Sequence, residues 1–391
     1  MKRTIDLLFY LIKESFSNGY TIDSKYKKML ADEEMLGRLY NIAKRHDLVH
    51  MLTEVLDSCG ILENCNEKIV AAYQKQRVIA VYRYERTAKE VERISDLFES
   101  EGIDYILLKG AYLKRYYPKP WFRTSSDLDV FVDRSETDRA ISLLQEKLGY
   151  TYEGKNTHNA QLWSSGGVNL ELHFDLIEEY LSPISYKVIE NVWDHTELID
   201  GKRRGYFLDE ETAYIYHLLH MAKHILNGGC GIRPFIDLWL MRYGNDFSRE
   251  KCRDLVTRCE MTCFEDAVIT LSEAWFACGE HTSVTQQLEE YILRGGVYGN
   301  FENKELVRRT DKGRLGYVFY RIFMPYDELC YIYPALANHK ILYPYYTVKR
   351  WINRFRAGKF KKVVVQAKRV ANLSDVEIKR TKQLISELGL K

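Results

Sequence analysis

The stretch Ser125-Ser126-Asp127-Leu128-Asp129-Val130-Phe131-Val132-Asp133 decides how this chain is read. Its alternation predicts a strand that turns Leu128, Val130 and Val132 to one face and sets Asp127 and Asp129 side by side on the other. Carboxylates at that spacing repel one another unless they face solvent or share a divalent cation. An all-oxygen donor set of this kind selects Mg²⁺ or Mn²⁺. The pair alone is weak evidence, because two acids flanking one residue occur by chance in many surface strands.

Downstream, Val168 to Phe174 repeats the pattern: Asn169, Glu171 and His173 share one face, and Val168, Leu170, Leu172 and Phe174 the other. Glu171 is therefore the candidate third carboxylate. His173 has two readings, a contact to nucleotide or acceptor and a hydrogen-bonded structural histidine. Upstream, LLKGAYLKRYYP (107–118) reads as a strand end, a tight Lys109-Gly110 turn and a helix start. Backbone N–H groups and the Lys109 ammonium then form an anion site suited to a triphosphate, to which Arg123 can add a bidentate contact.

Helical periodicity fills residues 1–100 and ends in KEVERISDLFESEG, where Val91, Ile94, Leu97 and Phe98 share a face and Gly102 supplies the stop. Strand patterns follow in IDYILLKG, SSDLDVFVD and GVNLELHFDL, with a helix over Ser135 to Leu148 between the last two. From about Glu210 onward the helical period returns. The fold class is therefore α+β, with a core at 101–200 whose strands lie between Ile103 and Trp193, and helical regions at 1–100 and 201–391.

Bulk composition excludes some functions. Lys and Arg total 57 against 55 Asp and Glu, a net charge of +2, so whole-molecule charge does not announce a nucleic-acid binder. Apolar residues at 46% and charged residues at 29% argue against disorder. The eight cysteines contain no CxxC pair, which points to reduced thiols and a cytoplasmic protein. The opening MKRTIDLLFYLIKESF is broken by Asp6, Lys13 and Glu14 and reads as an amphipathic helix. No stretch approaches the roughly eighteen apolar residues of a span, so no membrane partner is expected.

Two further features stay open. His217, His220 and His224 fall on one helical face. They can line a nucleotide or acceptor cleft with Arg233 and Asp237, chelate zinc through the His220 and His224 pair, or simply pack. Between Lys349 and Arg369, nine basic residues occur with no acid, interleaved with Trp351, Phe355 and Phe360. That segment can track an RNA backbone or form a solvated helical face.

Taken together, LLKGAYLKRYYP with Arg123 and SDLDVFV, then NLELHFDL, then HLLHMAKHILNGGCGIRPFIDLWLM resemble the uncharacterised bacterial nucleotidyltransferases called nucleotidyltransferase family 5, within the polymerase β-like superfamily. The likeness also takes in AKRHDLVHML (43–52), FMPYDELCYIYPAL and LYPYYTVKRW, and so nearly the whole chain. It implies a minimal nucleotidyltransferase core, a mixed sheet, and metal at Asp127, Asp129 and Glu171. The expected reaction moves a nucleoside monophosphate from a nucleoside triphosphate such as ATP to an acceptor hydroxyl and releases pyrophosphate. The resemblance does not select the acceptor among small molecules, peptides, proteins and tRNA. The alternatives are a non-catalytic nucleotide- or peptide-binding accessory protein and a toxin-like tRNA nucleotidyltransferase. One departure stands out. Better known relatives carry Gly-Ser at the phosphate turn, whereas this chain has Lys109-Gly110-Ala111 and no hydroxyl there; either Lys109 compensates or triphosphate handling is weaker.

Overall fold

Four short helices, α1 (Lys2–Glu14), α2 (Ser24–Leu30), α3 (Glu33–Arg45) and α4 (Val49–Ser58), lead into α5 (Glu67–Glu101), which is 35 residues long. This description rests on a computed structural model covering residues 2–176, 183–189, 191–243, 248–309, 323–336, 339–356 and 374–390. Asn66 starts α5 by accepting a hydrogen bond from the Lys68 amide, and Gly102 ends it at φ 75°, the left-handed stop expected from the sequence. Near its start Tyr73 belongs to one hydrophobic core; near its end Ile94, Leu97 and Phe98 belong to a second.

The second core lies under a mixed sheet of seven strands: β1 (Tyr105–Leu107), β2 (Asp127–Val132), β3 (Thr151–Lys155), β4 (Asn159–Trp163), β5 (Asn169–His173), β6 (Thr196–Leu198) and β7 (Gly205–Leu208). Their order is β3-β4-β5-β2-β1-β7-β6. A short helix α6 (Lys109–Leu113) follows β1, and α7 (Thr137–Leu148) follows β2. Leu128, Val130, Val132, Leu170 and Leu172 all face this second core, beside α5 and Ala140, Ile141 and Leu144 of α7. Burial of those alternate side chains fixes the register of β2, because a slip of one residue would turn the acids inward.

β2 and β5 pair in parallel with Asp129 opposite Glu171 and Phe131 opposite His173. That pairing sets carboxylates from two strands at one level of the sheet. Three of the seven strands are those read from sequence: β1 as a short buried run, and β2 and β5 by their alternation. Strand β3 is exposed at Thr151, Tyr152 and Glu153, and β6 at Glu197 and Leu198, so neither shows a buried face to signal a strand, while β4 turns the short pair Ala160 and Leu162 into the second core. The expected core limit at residue 200 falls between β6 and β7, and β7 pairs in parallel with β1.

The opposite face of the sheet is covered by α8 (Pro183–Val188), α9 (Glu210–Leu226), α10 (Arg233–Tyr243), α11 (Arg249–Arg258), α12 (Thr262–Phe276) and α13 (Ser283–Arg294), with α14 (Phe301–Arg309) beyond. The first and later helices share the larger core; Phe9 of α1 stacks on Trp275 of α12 with ring centroids 4.4 Å apart. Helices α15 (Tyr326–Ile332) and α16 (Tyr343–Arg356) build a small separate core, and α17 (Asp375–Glu387) packs on α13 and α14. The turn between α9 and α10 is locked against the segment before α14. A Cβ on Gly299 would lie 2.2 Å from the Gly228 carbonyl oxygen, and one on Gly228 would lie 2.6 Å from the Asn300 carbonyl oxygen. Both glycines also have positive φ.

Candidate active site

A cleft of about 740 Å³ separates the acidic face of β2 and β5 from one side of α9 and the start of α10. Its floor is organised by Asp129, which is 3% exposed. The Lys109 ammonium donates to Asp129 Oδ1 at 2.6 Å, and His173 Nε2 donates to the same oxygen at 2.9 Å. His173 Nε2 also stands 3.5 Å from Glu171 Oε2, an oxygen that accepts from Asn159 Nδ2 at 3.1 Å. Asp127 lines the same cleft, half-buried, with the Ser126 hydroxyl 3.3 Å from its Oδ1.

Burial alone would discharge these groups, but their neighbours decide otherwise. For Asp129, burial disfavours the anion, and the Lys109 ammonium and His173 overcome it and hold the carboxyl well below the usual range. Burial likewise opposes charge on Lys109 and His173; Asp129 raises the first, and hydrogen bonds to Asp129 and Glu171 raise the second. Glu171 is lowered despite burial, chiefly by its hydrogen bond with His173. Asp127 has no such partner, and burial together with the neighbouring Asp129 charge pushes it up to about 6.

Among the described residues, Asp129, Glu171 and His173 each offer a ligand atom within 4.8 Å of the others. Asp127 lies outside that group, so the donors that converge are two of the three predicted carboxylates plus an imidazole. This chemistry fits a divalent cation. The ammonium of Lys109 already occupies a cation's position against Asp129, so a metal and Lys109 compete for the same oxygen.

The Lys109-Gly110 turn is tightly drawn. Lys109 adopts φ 44°, in the left-handed region, and a Cβ on Gly110 would lie 2.9 Å from the Ser125 hydroxyl oxygen. Gly110 thus admits Ser125 to the turn, where the local sequence has no hydroxyl of its own. Arg123 lines the cleft nearby, its Nε donating to both oxygens of Asp237 at 2.8 and 3.0 Å. Tyr117 donates its hydroxyl to Asp237 Oδ1 at 2.6 Å, so this fully buried carboxylate orients the guanidinium.

The loop carrying Arg123 is clamped from the motif AKRHDLVHML. Asp47, itself at φ 55°, accepts from the Thr124 hydroxyl and from Arg233 Nη2, each at 2.8 Å, and His50 Nε2 donates to the Phe122 carbonyl at 3.0 Å. Arg233, expected in the cleft, therefore lines it while braced on Asp47. His46 is buried beside them with both ring nitrogens lacking a hydrogen bond, and burial pushes it down to about 4.

His217, His220 and His224 all line the wall opposite the acids. His217 donates through Nε2 to the Pro234 carbonyl at 2.8 Å, while the Nε2 atoms of His220 and His224 are 3.1 Å apart. Burial lowers all three; His220 falls well below its ordinary value, with the Lys109 charge adding to the effect, and His224 falls to about 4. The predicted site residues Lys109, Gly110, Arg123, Asp127, Asp129, Glu171, His173, His217, His220, His224, Arg233 and Asp237 thus border one cleft. Asn159 and Ser125 were not singled out from sequence. Of the basic run, Lys349, Arg350, Arg354 and Arg356 lie on α16, and 357–369 fall outside the described residues.

Comparison with known proteins gives the following. A family model described as "Uncharacterised nucleotidyltransferase" matches residues 32–277, more than half of the chain. No curated protein matches it. A crystal structure of an antigenic nucleotidyltransferase-like protein from Paracoccidioides brasiliensis is similar at 14% identity over 52% of this chain and 96% of that one, with a TM-score of 0.30, a likeness too distant to carry an argument.

Proposed function

The chain belongs to this family of uncharacterised nucleotidyltransferases, and on that premise we propose that it moves a nucleoside monophosphate from a nucleoside triphosphate to an acceptor hydroxyl. One observation carries the reading. Asp127, Asp129 and Glu171 border the same cleft as the Lys109-Gly110 turn and Arg123, so metal-binding and phosphate-binding chemistry meet in one place. Asp127, Asp129 and Glu171, with His173 beside them, would hold Mg²⁺ or Mn²⁺, which supplies charge neutralisation for the triphosphate and lowers the pKa of the attacking hydroxyl.

The chain's own groups do the rest. Lys109 leaves Asp129 for the triphosphate, and Arg123, held in orientation by Asp237, donates to the phosphate oxygens. The backbone around Gly110 lets the phosphates approach closely, with the Ser125 hydroxyl adjoining the turn. The acceptor oxygen bonds to the α-phosphorus as the bond to the β-phosphate oxygen breaks, and pyrophosphate leaves. Glu171 takes the hydroxyl proton, its partners Asn159 and His173 keeping the carboxylate in place.

The test is to incubate the full chain with each α-³²P-labelled nucleoside triphosphate, Mg²⁺ or Mn²⁺ and a cell extract, and to size the labelled product. Label transferred to an acceptor by the native protein and lost in Asp129→Asn supports the proposal. Metal-dependent triphosphate binding with no transfer to small molecules, RNA or protein would leave a binding protein instead.

A further inference from the structure

Helix α16 carries an apolar face that is exposed among the described residues. Tyr345, Val348 and Ile352 are 58%, 58% and 46% exposed, and Ile341 just before the helix is 89% exposed. Their spacing puts them along one side of the helix. The other side is already used: Thr347 and Arg350 are buried, and Tyr343 and Tyr346 pack on Leu329, Cys330 and Leu336. The stripe is therefore the outward face of the helix.

Charge accompanies it. Lys349 lies at the stripe's edge, its ammonium 5.7 Å from the ring centre of Tyr345 and 5.4 Å from that of Tyr346. From His339 to Ser374 the sequence contains ten Lys and Arg and no Asp or Glu, against a whole-chain balance of only +2. The positive charge is thus local to this part of the chain.

We propose that the exposed face of α16 docks on an anionic lipid surface, the helix lying in the headgroup plane. No helix among the described residues is long and apolar enough to cross a membrane, and this mode requires none. An apolar stripe with Lys349 at its edge, in a part of the sequence rich in Lys and Arg and free of acids, matches an interface where acyl chains meet anionic headgroups, a boundary that aromatic rings such as that of Tyr345 favour. A nucleic acid would gain nothing from Ile341, Val348 and Ile352. A second copy of the chain packed through this stripe would set Lys349 against its own kind. The inference is independent of the chemistry in the cleft.

Co-sedimentation of the full chain with vesicles tests it. With phosphatidylcholine and phosphatidylglycerol mixed at about 3:1 the protein should pellet, it should stay in solution with phosphatidylcholine alone, and added salt should weaken the binding. Val348→Asp and Ile352→Asp, at exposed positions, should each reduce partitioning at least about tenfold with an unchanged melting temperature. Failure to bind the anionic vesicles, or binding that both variants retain, overturns the proposal. So does a concentration-dependent dimer, or binding to a single-stranded RNA, that the same substitutions abolish while vesicle binding persists.

Discussion

The floor and the wall of the cleft are buried to similar degrees, yet they hold opposite kinds of group. On the floor, Asp129 and His173 are almost fully buried, yet Asp129 is held well below the usual carboxylate range and His173 is raised, because Lys109, Asp129, Glu171 and His173 compensate one another across adjoining strands. On the wall, His217, His220 and His224 face no carboxylate close enough to hold a proton, and burial keeps them neutral. Burial alone does not set protonation; the nearest counter-charge does. The floor is thus suited to cations and phosphates, and the wall to a neutral ligand surface that can donate or accept hydrogen bonds.

The sharpest way to break this contrast is Asp129→Asn. It removes the negative charge that Lys109 and His173 share, so transfer should fall below detection in the labelling assay. The sequence on its own suggests that neutralising one of two crowded acids relieves repulsion. The ion pair with Lys109 reverses that expectation: the variant takes the nearest counter-charge from a largely buried ammonium that then faces only the more distant Glu171 and Asp127, and it should lose on the order of 1–3 kcal/mol in metal-free urea denaturation. Wild-type stability and transfer together would refute the floor described above.

Asp47→Ala tests whether floor and wall are held in register from the amino-terminal helices. The change leaves Thr124 and Arg233 without their shared acceptor and should cost about 1–3 kcal/mol. It should also weaken triphosphate binding through Arg123, measured by calorimetry on protein that is still fully folded. Unaltered binding would show that the clamp contributes stability alone.

Asp127→Asn sharpens the comparison within the floor. Its carboxyl, raised to about 6 in the fold from an ordinary 3.8, favours the folded state fully only below about 3.8, and that contribution is lost as pH rises through 6. The Asn variant should therefore match wild type near pH 4 and melt higher at pH 7 to 8 in chelated buffer. Solvent reaches the half-buried carboxyl and screens it, so the gain should be on the order of 1–2 kcal/mol. No gain above pH 6 would mean that Asp127 is more solvated than its surroundings indicate.

At neutral pH the smallest effect belongs to the wall. His224, lowered to about 4 from 6.5, leaves stability intact above 6.5 and erodes it as pH falls toward 4. His224→Ala should flatten that slope by about one proton, roughly 1.4 kcal/mol per pH unit. His46, His50, His217 and His220, all lowered by burial, maintain the remaining slope. An unchanged slope would place the His224 proton elsewhere.

The carboxylate strands were legible because each alternates strictly and one face of each is fully apolar, as in Leu128, Val130 and Val132 against Asp127 and Asp129. The stop of α5 at Gly102 was legible for an equally local reason. What could not be read were relations between distant segments. Asn159 reaches Glu171 only because β4 pairs with β5, and Ser125 reaches Gly110 only because the turn lacks a Cβ. AKRHDLVHML stood out as a motif, but its partners Phe122, Thr124 and Arg233 lie far along the chain, so its part in holding the Arg123 loop had no local signature.

The meeting of Gly228 and Gly299 has a consequence for how such a protein can diversify. Cleft-lining side chains of α9 outside the core, such as His220 and His224, are expected to be exchangeable singly, each altering what the wall offers a ligand. The backbone carrying them cannot shift, because the smallest added carbon at either glycine would fall within 2.6 Å of a carbonyl oxygen. Variation in acceptor preference is therefore expected to arise from substitutions on a fixed helix, and deep mutational scanning should find these two positions closed even to alanine while His220 and His224 tolerate replacement without loss of expression.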